Sequence, residues 1–201
     1  MEGYVAVTDA GWYEFLKEGA ESGDANFWRP SARAFRLPVS TPFFFKLKAP
    51  HHAIAGFGRF AGFTVLPDWL AWETFGEANG VADLAALRTR LTRIQTGARI
   101  EPDAAGRIGC CLIAESTFFS RDDWVEPPRD WKRHTQTGAK YDLARGEGLR
   151  VWKDCLDRAA NRADIFEVRE DPMRYGASIL SAPRLGQGIF RVHVLDAYQR
   201  A

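Results

Sequence analysis

The run IGCCLIA, residues 108–114, constrains the fold most. It is continuously apolar, bounded by turn residues and too short for a buried helix, so it is expected as a strand covered on both faces at the centre of a sheet. Residues 41–47 (TPFFFKL) and 53–66 (AIAGFGRFAGFTVL) also read as strands, the second long, with glycines that permit bends or close backbone approach. Residues 4–8 alternate as a strand does and stop at Asp9, which can cap a helix over about residues 11–17. These runs predict an α+β chain built on a curved, mostly antiparallel sheet or small β-barrel with flanking helices. At 201 residues the chain can bury a real core without staples.

Pro67 suits the first turn of a helix carrying Trp69, Leu70, Trp72 and Phe75, with Gly76 able to end it. A second helix is expected over residues 81–94, where Leu84, Leu87, Leu91 and Ile94 share one face and Arg88, Arg90 and Arg93 occupy the rest. Residues 146–160 repeat the pattern with Leu149, Trp152, Cys155 and Leu156. Residues 18–40, 97–106 and 120–148 read as loops, although Phe27, Trp28 and Phe35 are an unusual set for one. These rings either pack inward or await a ligand. Residues 161–183 read as a polar, C-terminal linker, and residues 188–200 fit helical spacing, although FRVHV alone reads as a strand. One domain over residues 1–160 with a linker over 161–201 is therefore expected.

Charge narrows the function classes. The formal net charge is +1, so the chain has no global attraction for a polyanion and any phosphate contact must be local. Three cysteines, two of them adjacent in the apolar run, read as buried thiols of a reducing compartment. No secretory leader pattern and no stretch of roughly 18 apolar residues is present, so no membrane association and a cytoplasmic location are expected. His51 and His52 share a Pro-flanked turn, while His134 and His193 stand apart, and none has the spacing of an i, i+4 metal pair. No sequence anchor for serine, cysteine or metal catalysis occurs. Neither a metal nor a cofactor is expected, and the chain reads as a recognition fragment rather than a complete enzyme.

Seven Trp and fourteen Phe exceed ordinary core demand. Asn26, Trp28, Arg29 and Ser31 combine a ring, a guanidinium and small polar groups, the mixture that holds a flipped base; the alternative is a structural plug. Trp69 and Trp72 share a helix face and can line the same pocket or the core. Between Arg129 and Arg150 six Lys or Arg face three Asp or Glu, so this segment is locally basic. Arg129, Lys132, Arg133, His134 and Lys140 are the expected DNA-backbone contacts, interleaved with Trp131 and Tyr141. Asp142 could accept from an exocyclic amine such as cytosine N4, or simply cap a turn.

The ordered series YVAVTDAGWYEFL, NFWRPS, PFFFKLKAPHHAIAGFGRF, LAWETFGEANG, IGCCLIAESTFF, the Asp130–Trp131 pair, YDLARGEG and RLGQGIFRVHVLDAYQR resembles the N-terminal region of bacterial HNH restriction endonucleases. That region is similar in layout to the PUA-like superfamily, which includes EVE, YTH, ASCH and SRA domains. The resemblance implies a PUA-like curved β-barrel that reads modified double-stranded DNA, with an HNH nuclease domain following residue 201 in the full-length protein. It implies a type IV-like, modification-dependent role in which a modified cytosine is flipped into an aromatic pocket, and it allows a homodimer. The alternatives are a phosphorothioate-DNA reader, a nucleotide or metabolite sensor, and a structural or oligomerisation domain whose rings form only core.

Overall fold

The computed structural model describes residues 1–19 and 23–167, with side chains to residue 161. Six strands and four helices follow in the order β1 (Glu2–Thr8), α1 (Ala10–Gly19), β2 (Ala25–Arg29), β3 (Pro42–Leu47), β4 (Ile54–Pro67), α2 (Asp68–Phe75), α3 (Leu84–Ala98), β5 (Arg107–Phe118), β6 (Gly138–Asp142) and α4 (Gly146–Glu167). Short 3-10 turns at Gly76–Asn79 and Arg121–Asp123 complete the described residues. The strands form one mixed sheet ordered β2-β5-β4-β3-β1-β6, in which β1 and β3 are parallel and every other pair is antiparallel.

The sheet curls. Two strands separate β2 from β3, which in a flat sheet would hold them about 14 Å apart at about 4.8 Å per strand. Yet the rings of Phe27 on β2 and Phe43 on β3 lie 5.2 Å apart. Register shifts along β4, between Phe57 and Arg59 and between Phe60 and Gly62, supply the bends. The hydrogen-bonded order ends at β2 and β6, so the expected curved α+β sheet is present as a six-stranded sheet whose closure into a barrel is not shown.

Both faces of the sheet are covered, which explains why every residue of β3 is buried. Phe43 and Phe45 join the larger core with Trp12, Phe60 and Phe118 on the concave face. Phe44 points the other way, into a second core with Val151 and Cys155 of α4, where the Trp152 ring meets it edge-on at 5.8 Å. Burying each such Phe contributes about 1.5–3 kcal/mol. Because side chains alternate along a strand, Lys46 follows Phe44 onto the α4 side.

Most predicted elements are present. Asp9 accepts from the Gly11 amide at 3.2 Å at the start of α1, and Gly76 follows α2 with φ +50°. The helix expected from residue 81 begins at Leu84, because the Asp83 carboxylate caps it by accepting from the Ala86 amide at 2.7 Å, and it continues to Ala98. β5 is expected at the sheet's centre but stands next to the β2 edge. Its buried run at residues 108–113 reflects cover on both faces, which says nothing about how many strands lie on either side.

Two strands fall in segments read as loops. β2 pairs with β5 and β6 with β1, and in both the edge position is set by a distant partner. Asn26 and Trp28 on one face of β2 meet the helical layer: the Trp28 indole donates to the Asn79 carbonyl at 2.9 Å, and the Asn26 amide donates to Asn79 Oδ1 at 2.9 Å. Asn79 itself donates to the carbonyls of Ala71 and Gly76, at 3.1 and 2.8 Å. Gly80 follows at φ +72° against the Trp12 indole, where a Cβ would be both strained and obstructed. The boundary expected at residue 160 lies inside α4, which continues to Glu167. The rest of the expected linker and the segment at residues 188–200 lie outside the described residues.

Candidate functional site

The curl leaves a cleft of about 680 Å³ on the concave side, between β1, β2, the C-terminal half of α3 and residues 135–137. Its walls are aromatic. Tyr4 from β1, Phe27 from β2, Phe35 from the segment between β2 and β3, and Phe43 from β3 all line it. The Tyr4 ring meets Phe35 edge-on at 5.1 Å and Phe43 at 5.4 Å. Burial raises the Tyr4 phenol above its ordinary range, while the nearby Arg29 charge and a hydrogen bond with the Thr137 side chain oppose the rise.

Arg29 is the polar centre of this apolar wall. Alternation along β2 puts it on the Phe27 side, and its guanidinium lies over the Phe35 ring at 4.8 Å. One of its terminal nitrogens, Nη1, is buried without a hydrogen-bond partner. A buried donor left unpaired costs about 1–3 kcal/mol, more when it is charged, so this nitrogen favours any ligand that brings an acceptor. Lys48 and Arg93 also line the cleft, against a single carboxylate, Asp9, which pairs with Arg93 at 3.4 Å.

A second hollow of about 580 Å³ lies beside the first and shares Val7, Lys48 and Thr135 with it. It is further lined by Lys46, His52, Trp131 and Arg133. Lys46 is 4% exposed, and burial lowers the pKa of its ammonium. Its Nζ sits over the Trp131 ring at 4.9 Å and donates to the Leu47 carbonyl at 3.4 Å.

The residues expected to form one base pocket are dispersed. Trp28 and Arg29 line the cleft. Asn26 is buried at the interface with Asn79, its Oδ1 lacking a partner. Ser31 gives its backbone carbonyl to the Gly109 amide at 3.1 Å. On α2, Trp69 is exposed and Trp72 packs against the main core. Tyr141 stacks on Trp131 at 6.4 Å and donates to Asp130 at 3.0 Å, and its phenol pKa is raised, chiefly by burial. Asp142 accepts from the Ala144 amide and pairs with Arg145 at 2.8 Å, as a turn cap does.

The expected backbone contacts also separate. Of the five, Arg133 lines the second hollow and none lines the cleft. Lys140 pairs with Glu2 at 2.9 Å, and Arg129 gives its amide to Glu147 at 2.8 Å. Lys132 and His134 are exposed on the same segment. Tyr4, Phe43, Lys46, Lys48 and Arg93 were not singled out as site residues, because four of them sit in regular elements where pattern alone suggests core or solvated face, and Lys48 directly follows β3. Phe27 and Phe35 did carry a signal, as rings in a polar stretch.

Among the described residues no cluster of three or more His, Cys, Asp or Glu could hold a metal ion, and no helix is long and apolar enough to cross a membrane. No family model and no curated protein matches the chain. Its structure is similar to that of ASCH from Zymomonas mobilis, with a TM-score of 0.48 and 14% identity over 74% of this chain and 94% of that one. A Tyr-to-Phe variant of the same protein aligns with a TM-score of 0.47 and 14% identity, covering 73% and 94% of the two chains. A Ser-to-Ala variant aligns at 0.43 and 11%, covering 73% and 92%.

Proposed function

We propose that this chain is a nucleic-acid recognition module that holds one modified nucleotide of duplex DNA, a modified cytosine, in the aromatic cleft. The observation that carries the reading is the buried, unpartnered Nη1 of Arg29 within walls formed by Tyr4, Phe27, Phe35 and Phe43. A base extruded from a duplex costs a few kcal/mol of stacking and pairing. Stacking on aromatic side chains returns about 1–3 kcal/mol per base, and a charged donor to the base edge adds to that. Lys48 and Arg93 at the cleft attract the phosphates of the same strand. In a full-length protein of this design, a following HNH nuclease domain would cut the DNA that the module selects.

The test is a titration of the chain against matched duplexes that carry cytosine, methylcytosine, hydroxymethylcytosine or a phosphorothioate at one position. A base-modified duplex should bind most tightly, and Arg29→Met should abolish the preference while leaving weak general affinity. Equal affinity for all four duplexes overturns the reading.

A cleft of about 680 Å³ is also within the size range of small-ligand sites. That observation favours a second reading, a sensor for a free nucleotide. Salt separates the two. DNA affinity should fall steeply between about 50 and about 200 mM salt as counterions are released, whereas a small ligand with one phosphate should show a shallow slope.

A further inference from the structure

The hollow beside the cleft gathers Lys46, Lys48, His52 and Arg133, and no carboxylate is among its lining residues. Surface lysines are common and carry little information, but Lys46 is 4% exposed. Among the described residues it forms no ion pair with a carboxylate, and its ammonium donates only a long hydrogen bond, 3.4 Å to the Leu47 carbonyl. Taking an ammonium out of water is costly unless an opposite charge or good acceptors replace the water. The Trp131 face offsets part of that cost. Lys46 lines the hollow together with Lys48 and Arg133, whose like charges disfavour its own. An anion there would relieve both terms at once.

We propose that this hollow is a phosphate-binding site, and that the phosphate it seats is a backbone phosphodiester next to the nucleotide in the cleft. The second clause rests on the nucleotide reading above, and the first does not. Thr135, Val7 and Lys48 line both spaces, so a strand whose base enters the cleft can lay its sugar-phosphate chain across this shared wall. Lys46 supplies a desolvated charge, and Arg133 supplies a planar, two-pronged donor. The depressed ammonium pKa at Lys46 accords with a site that lacks a protein counter-ion.

The experiment uses the full chain and inorganic phosphate as the probe, with chloride added to keep ionic strength constant. Amide chemical shifts of residues 46–48 and 133–135 should move saturably with phosphate. Lys46→Met, which keeps the side chain's length and removes a buried charge, should retain the fold and weaken phosphate at least about tenfold. Shifts that chloride reproduces, or that Lys46→Met leaves unchanged, overturn the site. Arg133→Gln, on an exposed loop, gives a second reading that does not depend on tolerance in the core. A short oligonucleotide without terminal phosphates should displace inorganic phosphate; failure to compete overturns the assignment to a strand phosphodiester. Lys46→Met should weaken modified and unmodified duplexes by the same factor. Saturable phosphate binding without discrimination among duplexes would remove the modified-base reading and leave this site standing.

Discussion

Replacing Asn79 with alanine should remove much of the chain's stability, although nothing about Asn79 looks special along the sequence. The side chain is fully buried and makes three hydrogen bonds: two donated by Nδ2 to the carbonyls of Ala71 and Gly76, and one accepted by Oδ1 from Asn26. At about 1 kcal/mol net per bond, their loss amounts to roughly 3 kcal/mol. The buried Asn26 amide then also loses its Asn79 acceptor, while its own Oδ1 already lacks a partner, which adds about 1 kcal/mol. A loss of about 3–5 kcal/mol is large against the ~5–15 kcal/mol of a typical domain. With a urea slope of about 2 kcal/mol per molar, the midpoint should fall by roughly 2 M. Equilibrium urea unfolding followed by circular dichroism measures this directly. The bond from the Trp28 indole to the Asn79 backbone carbonyl is independent of the side chain and should survive. Asn26→Ala combined with Asn79→Ala should cost less than the sum of the two single changes, because the double variant leaves no orphaned amide. A cost below about 1 kcal/mol for Asn79→Ala, or strict additivity in the cycle, would refute the argument that this bridge ties the helical layer to β2.

Burial pushes the thiols of Cys110 and Cys111 up to about 12, and both are wholly inaccessible, so a thiol reagent at pH 8 should label neither until urea unfolds the chain; labelling of the native protein refutes this. Arg150 donates to the carbonyls of Glu126 and Pro127 at 3.3 and 2.9 Å and thereby straps the segment before Trp131 to α4. Arg150→Met should cost about 1–2 kcal/mol and speed amide exchange at Trp131, with unchanged exchange counting against the strap. Glu147 is held down at about 2, first by its hydrogen bond from Arg150 and then by the Arg129 amide. Because its pKa is depressed on folding, its contribution is complete above its ordinary value near 4.5 and is lost as pH falls through about 2. The difference in melting temperature between the chain and Glu147→Gln should therefore be present at neutral pH and vanish near pH 2. A difference that persists there would contradict the assignment.

Along the chain, local pattern was sufficient for elements whose own residues carry the signal. Residues 108–114 read as a doubly covered strand because the side chains of an unbroken apolar run must point both ways. α2 and α4 were legible from apolar spacing, and α1 from its Asp9 cap. β2 and β6 were not, because an edge strand needs only a partner's free hydrogen-bonding groups, and those belong to β5 and β1 far away in sequence.

The same division governs the site. Composition and spacing alone announced surplus rings, a locally basic segment after Arg129 and the absence of catalytic motifs. Which rings face an opening was decided only by the curl of the sheet. It brings Phe27 to Phe43 across two intervening strands, opens a cleft beside Arg29, and leaves Asn26 and Trp69 elsewhere. Alternation sends Lys46 to the α4 side of β3, but the hollow around it is also lined by Trp131 and Arg133, nearly ninety residues later. A strand's period is a property of the local backbone, so sequence determines it. A concavity is a property of how several strands bend together, so only the folded chain contains it.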